Sequence, residues 1–182
     1  MKKANLFFTL ALLPFIALSQ SVFDKYDDMD HVGSVTINQN MIRLAGNIAA
    51  FDESDQDAQD FADIAQGLNG IKVFITQDPG ISEDMGATVK AYLKSSTLEE
   101  LMRVKDKDAT VKFYVKQGKD EDHVSELLLF VSDIDNPKIG IKNRKFESVL
   151  VSMTGDIDLN KIGALTNKLN LPEELNSAGK SK

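Results

Sequence analysis

Thr154, Gly155, Asp156 and Asp158 stand where this 182-residue chain looks most like chemistry. They join the apolar run VLVSM to the helical pattern LNKIGAL, the kind of junction where proteins sometimes hold a phosphate or a metal ion. A phosphate loop needs more glycine and a following lysine, and two carboxylates at a helix mouth repel an anion. A cation would accept Asp156 and Asp158, but calcium takes six to eight oxygens, and the glycine and distal glutamate of an EF-hand are missing. A corner accounts for every polar residue present. A strand ending at Thr154 needs a tight exit, Gly155 can adopt angles closed to other residues, and Asp158 can accept hydrogen bonds from the first free amides of a helix. The residues therefore predict a structural corner.

The other candidates are weaker. Asp-x-Asp recurs at Asp28/Asp30, Asp55/Asp57, Asp106/Asp108, Asp120/Asp122 and Asp133/Asp135, mostly in turns or at helix starts, where Asp bonds nearby backbone. Pooled carboxylates from Asp24 to Asp30 offer weak calcium association as an alternative. His31 and His123 belong to no recognised motif, and the chain has no Gly-x-Ser-x-Gly elbow, His-Glu-x-x-His helix or cysteine. The reading is accordingly non-enzymatic, with no catalytic residue, metal or cofactor assigned. The alternative is an enzyme using a carboxylate pair, since such pairs are recognised by separation in space. The most basic window, KIGIKNRK, carries Lys138, Lys142, Arg144 and Lys145 between two strands. It reads either as a hairpin whose lysines blunt a sheet edge or as a site for an anionic partner.

The ends and the composition set the frame for these residues. MKKANLFFTLALLPFIALSQS has two lysines, an uncharged apolar run from Ala4 to Leu18, and small residues at Ala17 and Ser19. This pattern predicts a signal peptide over residues 1–19, cleaved after Ser19, and a periplasmic or secreted protein. The run is shorter than the roughly 20 residues that span a bilayer, so no transmembrane segment is expected after cleavage. With Lys2 and Lys3 removed, 19 basic residues face 28 acidic ones and the formal charge moves from -7 to -9. That sign opposes nucleic-acid binding. The absence of cysteine excludes thiolate metal sites, a lipid anchor on cysteine, and disulfides.

The elements that must position these residues follow from periodicity. An acidic lead-in over residues 20–31 precedes a strand with Val35 and Ile37 at alternate positions. Met41, Ile42, Leu44, Ala45 and Ile48 fit one helix face. Ser54 is placed to cap a second helix that buries Ala58, Phe61, Ala62, Ala65 and Leu68, and LNG ends it. IKVFIT alternates as a strand, Asp78-Pro79-Gly80 turns, and Ser82 opens a third helix with Met85, Val89, Tyr92 and Leu93 inward. Strands follow from about Leu101, then over TVKFYVK, VSELLLFVSD and SVLVSMT. A last helix from Asp158 buries Leu159, Ile162, Leu165 and Leu169. The order predicts an α+β fold over residues 32–171, a two-layer sandwich of a mostly antiparallel sheet with helices on one face, and a flexible tail over 172–182. If Phe74, Tyr114, Leu128 or Leu150 lie exposed on the other face of the sheet, that face is a partner surface.

The segments LNGIKVFIT, YLKSSTLEELMRVKDKDATVKFYVKQGKDEDHVSELLLFVSD and VLVSMTGDIDLNKIGAL, in this order, resemble an exported bacterial family known as domain of unknown function 4252. The resemblance spans nearly all of the chain after residue 19 and implies export, but no activity and no catalytic residues. Many members of that family look like lipoproteins; this chain, without cysteine, departs from them. The expectation is an envelope protein that presents a sheet face or edge to a protein partner or to another copy of itself.

Overall fold

The computed structural model describes residues 22–105, 107, 109–134 and 145–162. Six strands form one sheet: β1 (Val32–Asn38), β2 (Leu68–Thr76), β3 (Glu99–Lys105), β4 (Thr110–Gln117), β5 (His123–Ser132) and β6 (Ser148–Asp158). Three helices accompany them: α1 (Gln39–Ala49), α2 (Gln56–Gly67) and α3 (Pro79–Ser95). Every neighbouring pair is antiparallel, and the order across the sheet is β1-β2-β6-β5-β4-β3. The fold is α+β, as the periodicity predicts. β6, the last strand among the described residues, lies in the middle, where it joins the β1-β2 half to the β3-β4-β5 meander.

The helices do not share one face. Ile71 on β2, Leu127 and Leu129 on β5, and Val151 and Met153 on β6 pack with Ile42 of α1 and Phe61 and Ala65 of α2. The alternate residues Phe74, Leu128, Phe130 and Leu150 point the other way, into a second core with Met85, Val89 and Tyr92 of α3. The expected single covered face is therefore corrected to two. Leu127 to Val131 are all buried, because a strand covered on both sides needs apolar residues at every position and loses its alternation. Phe74, Tyr114, Leu128 and Leu150, expected on an open face, lie buried under α3.

The acidic lead-in is also part of the second core. Phe23, which precedes a 3-10 turn over Asp24–Tyr26, and Tyr26, which ends it, are fully buried, so the expected start of the domain at residue 32 is too late. The Phe23 ring meets Tyr92 edge-on at 5.4 Å, and the Tyr26 hydroxyl donates to Asp84 Oδ2 at 2.6 Å. Lys72 Nζ donates to Asp24 Oδ1 and Asp27 Oδ2, both at 2.7 Å, which explains why acids gather there: they hold the turn against β2. Capping shifts two helix starts. Asp55, not Ser54, caps α2 by accepting from Ala58 N. Asp78 caps α3 by accepting from Gly80 N and Ile81 N, so Asp78-Pro79-Gly80 opens that helix before Ser82, with the proline in its first turn. Leu68 begins β2, so LNG starts a strand where the end of the second helix was expected.

Candidate functional site

Strand β6 does not end at Thr154; it runs on to Asp158. Gly155 has φ +138°, and a Cβ there would run into the Gly67 carbonyl oxygen and lie 2.7 Å from Leu68 Cα. The backbones of β2 and β6 come together here, beside an irregularity in their register, with no room for a side chain between them, which is why glycine occupies the position. Asp158 accepts from Asn160 N at 2.9 Å and caps a short 3-10 turn over Leu159–Lys161. Ile162 beyond it is buried, while Leu165, Leu169 and the 172–182 tail lie outside the described residues. Asp156 pairs with Lys119 at 2.7 Å. Asp158 thus closes off backbone, and Asp156 joins an ion pair.

The same corner borders an open groove of about 420 Å³ that gathers Asp63, Lys119, His123, Asp156, Asp158 and Lys161. Its charges are cross-paired: Lys119 with Asp156, Lys161 with Asp63, and His123 Nδ1 with Asp120 Oδ1 at 2.6 Å. The bond to Asp156 raises the Lys119 pKa, and the bond to His123 lowers that of Asp120. Both shifts move away from neutrality, whereas a general acid or base works best near the operating pH. Among the described residues no three His, Asp or Glu side chains are grouped to hold a metal ion. Millimolar calcium is expected to leave the melting temperature unchanged. A rise abolished by Asp156→Ala together with Asp158→Ala would make the corner a cation site.

Of the basic residues, Lys138, Lys142 and Arg144 lie outside the described residues, as do Asp106, Asp108, Asp135 and residues 1–19, where a signal peptide is expected. Lys145 is exposed, 3.9 Å from Glu147 Oε1. The strands that this connection joins, β5 and β6, are each paired on both sides, and its residues 135–144 lie outside the described residues. His31 sits in a turn at φ 65°, and its carbonyl accepts from the Thr76 hydroxyl at 3.0 Å. Sequence reasoning missed Glu126, which is 2% exposed and lies 2.8 and 3.0 Å from the Tyr92 hydroxyl. The signal was a single charge inside the apolar run VSELLLFV.

Among the described residues, exposed large apolar side chains gather at the β1 edge. Val35 is 51% exposed, Met41 58%, Leu44 54%, Ile48 62% and Phe51 87%. Helix α1 has the predicted apolar stripe, but only Ile42 and Gly46 are buried. A Cβ on Gly46 would lie 2.6 Å from Ala65 Cβ, so that glycine lets α1 lie tight against α2 while the rest of the stripe faces out. Ile37, Met41, Leu44, Ile48, Phe61 and Ile71 line an apolar groove of about 340 Å³ between helix and sheet. The two sheet edges differ in protection. β3 carries Glu99, Glu100, Arg103 and Lys105 and an irregular register at Glu100/Met102, the usual guards against unwanted pairing. β1 reads VGSVTIN, without charge or proline, and no other strand among the described residues pairs with its outer side. From His31 to Phe51 the only full charge is Arg43, in a chain with 28 acids.

Comparison with known proteins adds a family and nothing finer. The family model described as a domain of unknown function, DUF4252, matches residues 26–165. No curated protein and no solved structure matches. Among the described residues no helix is long and apolar enough to cross a membrane.

Proposed function

The chain belongs to the DUF4252 family, and from that premise we propose that it is a non-enzymatic protein-binding module of the bacterial envelope that docks its partner along β1 and α1. The observation that carries this reading is the uncharged strand edge continuous with an exposed apolar helix stripe. An extended partner segment adds beside β1 through main-chain hydrogen bonds and sets alternate apolar side chains into the groove beside Ile37, Leu44 and Ile48. The leader over residues 1–19, with small residues at Ala17 and Ser19, supports the envelope address.

Fluorescence anisotropy with a panel of uncharged extended peptides, apolar at alternate positions, tests the docking. Leu44→Glu together with Ile48→Glu is expected to weaken binding at least about tenfold, near 1.4 kcal/mol. Both side chains are more than half exposed, so the fold is kept. Replacing Lys138, Lys142, Arg144 and Lys145 by Glu is expected to leave peptide affinity unchanged. The reverse pattern transfers the docking role to the basic segment.

A further inference from the structure

We propose that the partner is a second copy of this chain, joined edge to edge through β1 in a two-fold symmetric dimer with a continuous twelve-stranded sheet. The inference rests on the docking reading above and names its partner. Three observations carry it: the sequence of β1, the seat of α1, and the distribution of charge.

Strand β1 has seven residues, Val32–Asn38, with Val35 at the centre. Antiparallel pairing of the strand with itself about that centre sets Val35 against Val35 of the second copy, Ser34 against Thr36, and Gly33 against Ile37. No residue of the strand is charged, and the Asp27 carboxylate that accepts from Thr36 at 3.1 Å is paired with Lys72. A small residue faces a large one at both ends, and the nearest atom to a Cβ on Gly33 would be Ile75 O at 3.8 Å, so there is room. A two-fold axis perpendicular to the sheet keeps Gly33, Val35 and Ile37 of both copies on the α1 side, the isologous geometry of most soluble dimers.

The helix layer closes at the same time. α1 touches both β1 and β2. Strands are about 4.8 Å apart, so a helix seated midway between β1 and β2 brings the two copies of α1 to about 10 Å from each other across the dimer axis, the packing distance of helices. Met41, Leu44 and Ile48, spaced three and four apart, then face their counterparts and the groove is filled. Charge selects this surface over others: at a formal charge of -7, two copies repel through most of their surface, and residues 31–51 contain no Asp, Glu or Lys.

The cysteine-free chain offers a direct test. Residues directly opposed in an antiparallel pair have Cα atoms about 4.5–5.5 Å apart, within disulfide reach. Full-length protein with Val35→Cys is expected to oxidise to a covalent dimer on a non-reducing gel, and Val104→Cys on the opposite edge to remain monomeric. Sedimentation of the unmodified protein over a hundredfold concentration range is expected to give twice the monomer mass, Val35→Lys the monomer mass with an unchanged far-ultraviolet circular dichroism spectrum, and Leu101→Lys the dimer. A protein monomeric throughout, or a dimer indifferent to Val35→Lys, overturns the proposal. The peptide titration separates the two readings: a monomer that still binds strand peptides through Leu44 and Ile48 loses the dimer alone, and one that binds none loses both.

Discussion

Replacing Gly155 by valine is expected to remove about 4 kcal/mol or more of stability, a large share of the roughly 5–15 kcal/mol that holds a domain of this size. Two effects add. At φ +138° a side chain is strained by about 1–3 kcal/mol whatever surrounds it. The new Cβ would also press on main-chain atoms of Gly67, Leu68 and Asn69, which cannot rotate aside as a side-chain tip can. Relief requires β6 to move off β2, and that displaces Leu68, which is fully buried in the α1/α2 core. Urea denaturation reads the loss as a lower midpoint or as no cooperative transition. Gly86→Ala is the matched control: inside α3, its Cβ would meet only Phe130, at 3.8 Å, and alanine is the better helix former by about 0.5–1 kcal/mol. A Gly155 variant with a native midpoint would show that the crossing relaxes freely and that the corner has another purpose.

Removing the Tyr92 hydroxyl is expected to destabilise the protein by about 2–3 kcal/mol at neutral pH and by less in acid. Burial raises the Glu126 pKa, and the hydrogen bond donated by Tyr92 pulls it part of the way back. The folded state therefore binds this proton more tightly than the unfolded chain does. Its contribution is most favourable below the unfolded value of about 4.3, falls as pH rises through the folded value, and stays unfavourable above it. Tyr92→Phe keeps the ring against Phe23 but takes the donor from the charged carboxylate, so the loss grows with pH. Glu126→Gln removes the buried charge and keeps a partner for the hydroxyl; it is expected to raise the melting temperature at pH 7 and to change little at pH 4. Asp84 and Asp120, whose pKa values are lowered by Lys25 and His123, give the opposite slope, so the variant-minus-native difference is what isolates Glu126. A difference flat with pH would show that Glu126 is not the group responsible.

Much of the fold was legible because short-range physics writes it. The stripe Ala58, Phe61, Ala62 and Ala65 is buried as its spacing predicts, and Ile71, Val73 and Ile75 share a face of β2. The misplacements are those of neighbours with like chemistry: Ser54 and Asp55 are both good caps, and a proline in a first helical turn reads as a turn. The site was less legible. Amphipathicity marked Met41, Leu44 and Ile48 as a stripe but held no information about what covers them, and they stand in solvent. Exposure was sought instead at Phe74, Tyr114, Leu128 and Leu150, which α3 covers. The usable signal was an absence, the acid-free stretch from His31 to Phe51.

The amino-acid sequence by itself determined the elements, the acidic balance, the lack of cysteine chemistry and the family, because periodicity, capping and composition act within a few residues of each position. Only the tertiary structure decided which strand is an edge and which face each helix covers. β6 inserts between β2 and β5, contacts made across much of the chain, and that long-range pairing leaves β1 at the rim. No local pattern encodes it, since the same alternating strand serves a rim or a centre, and only its neighbours make the difference.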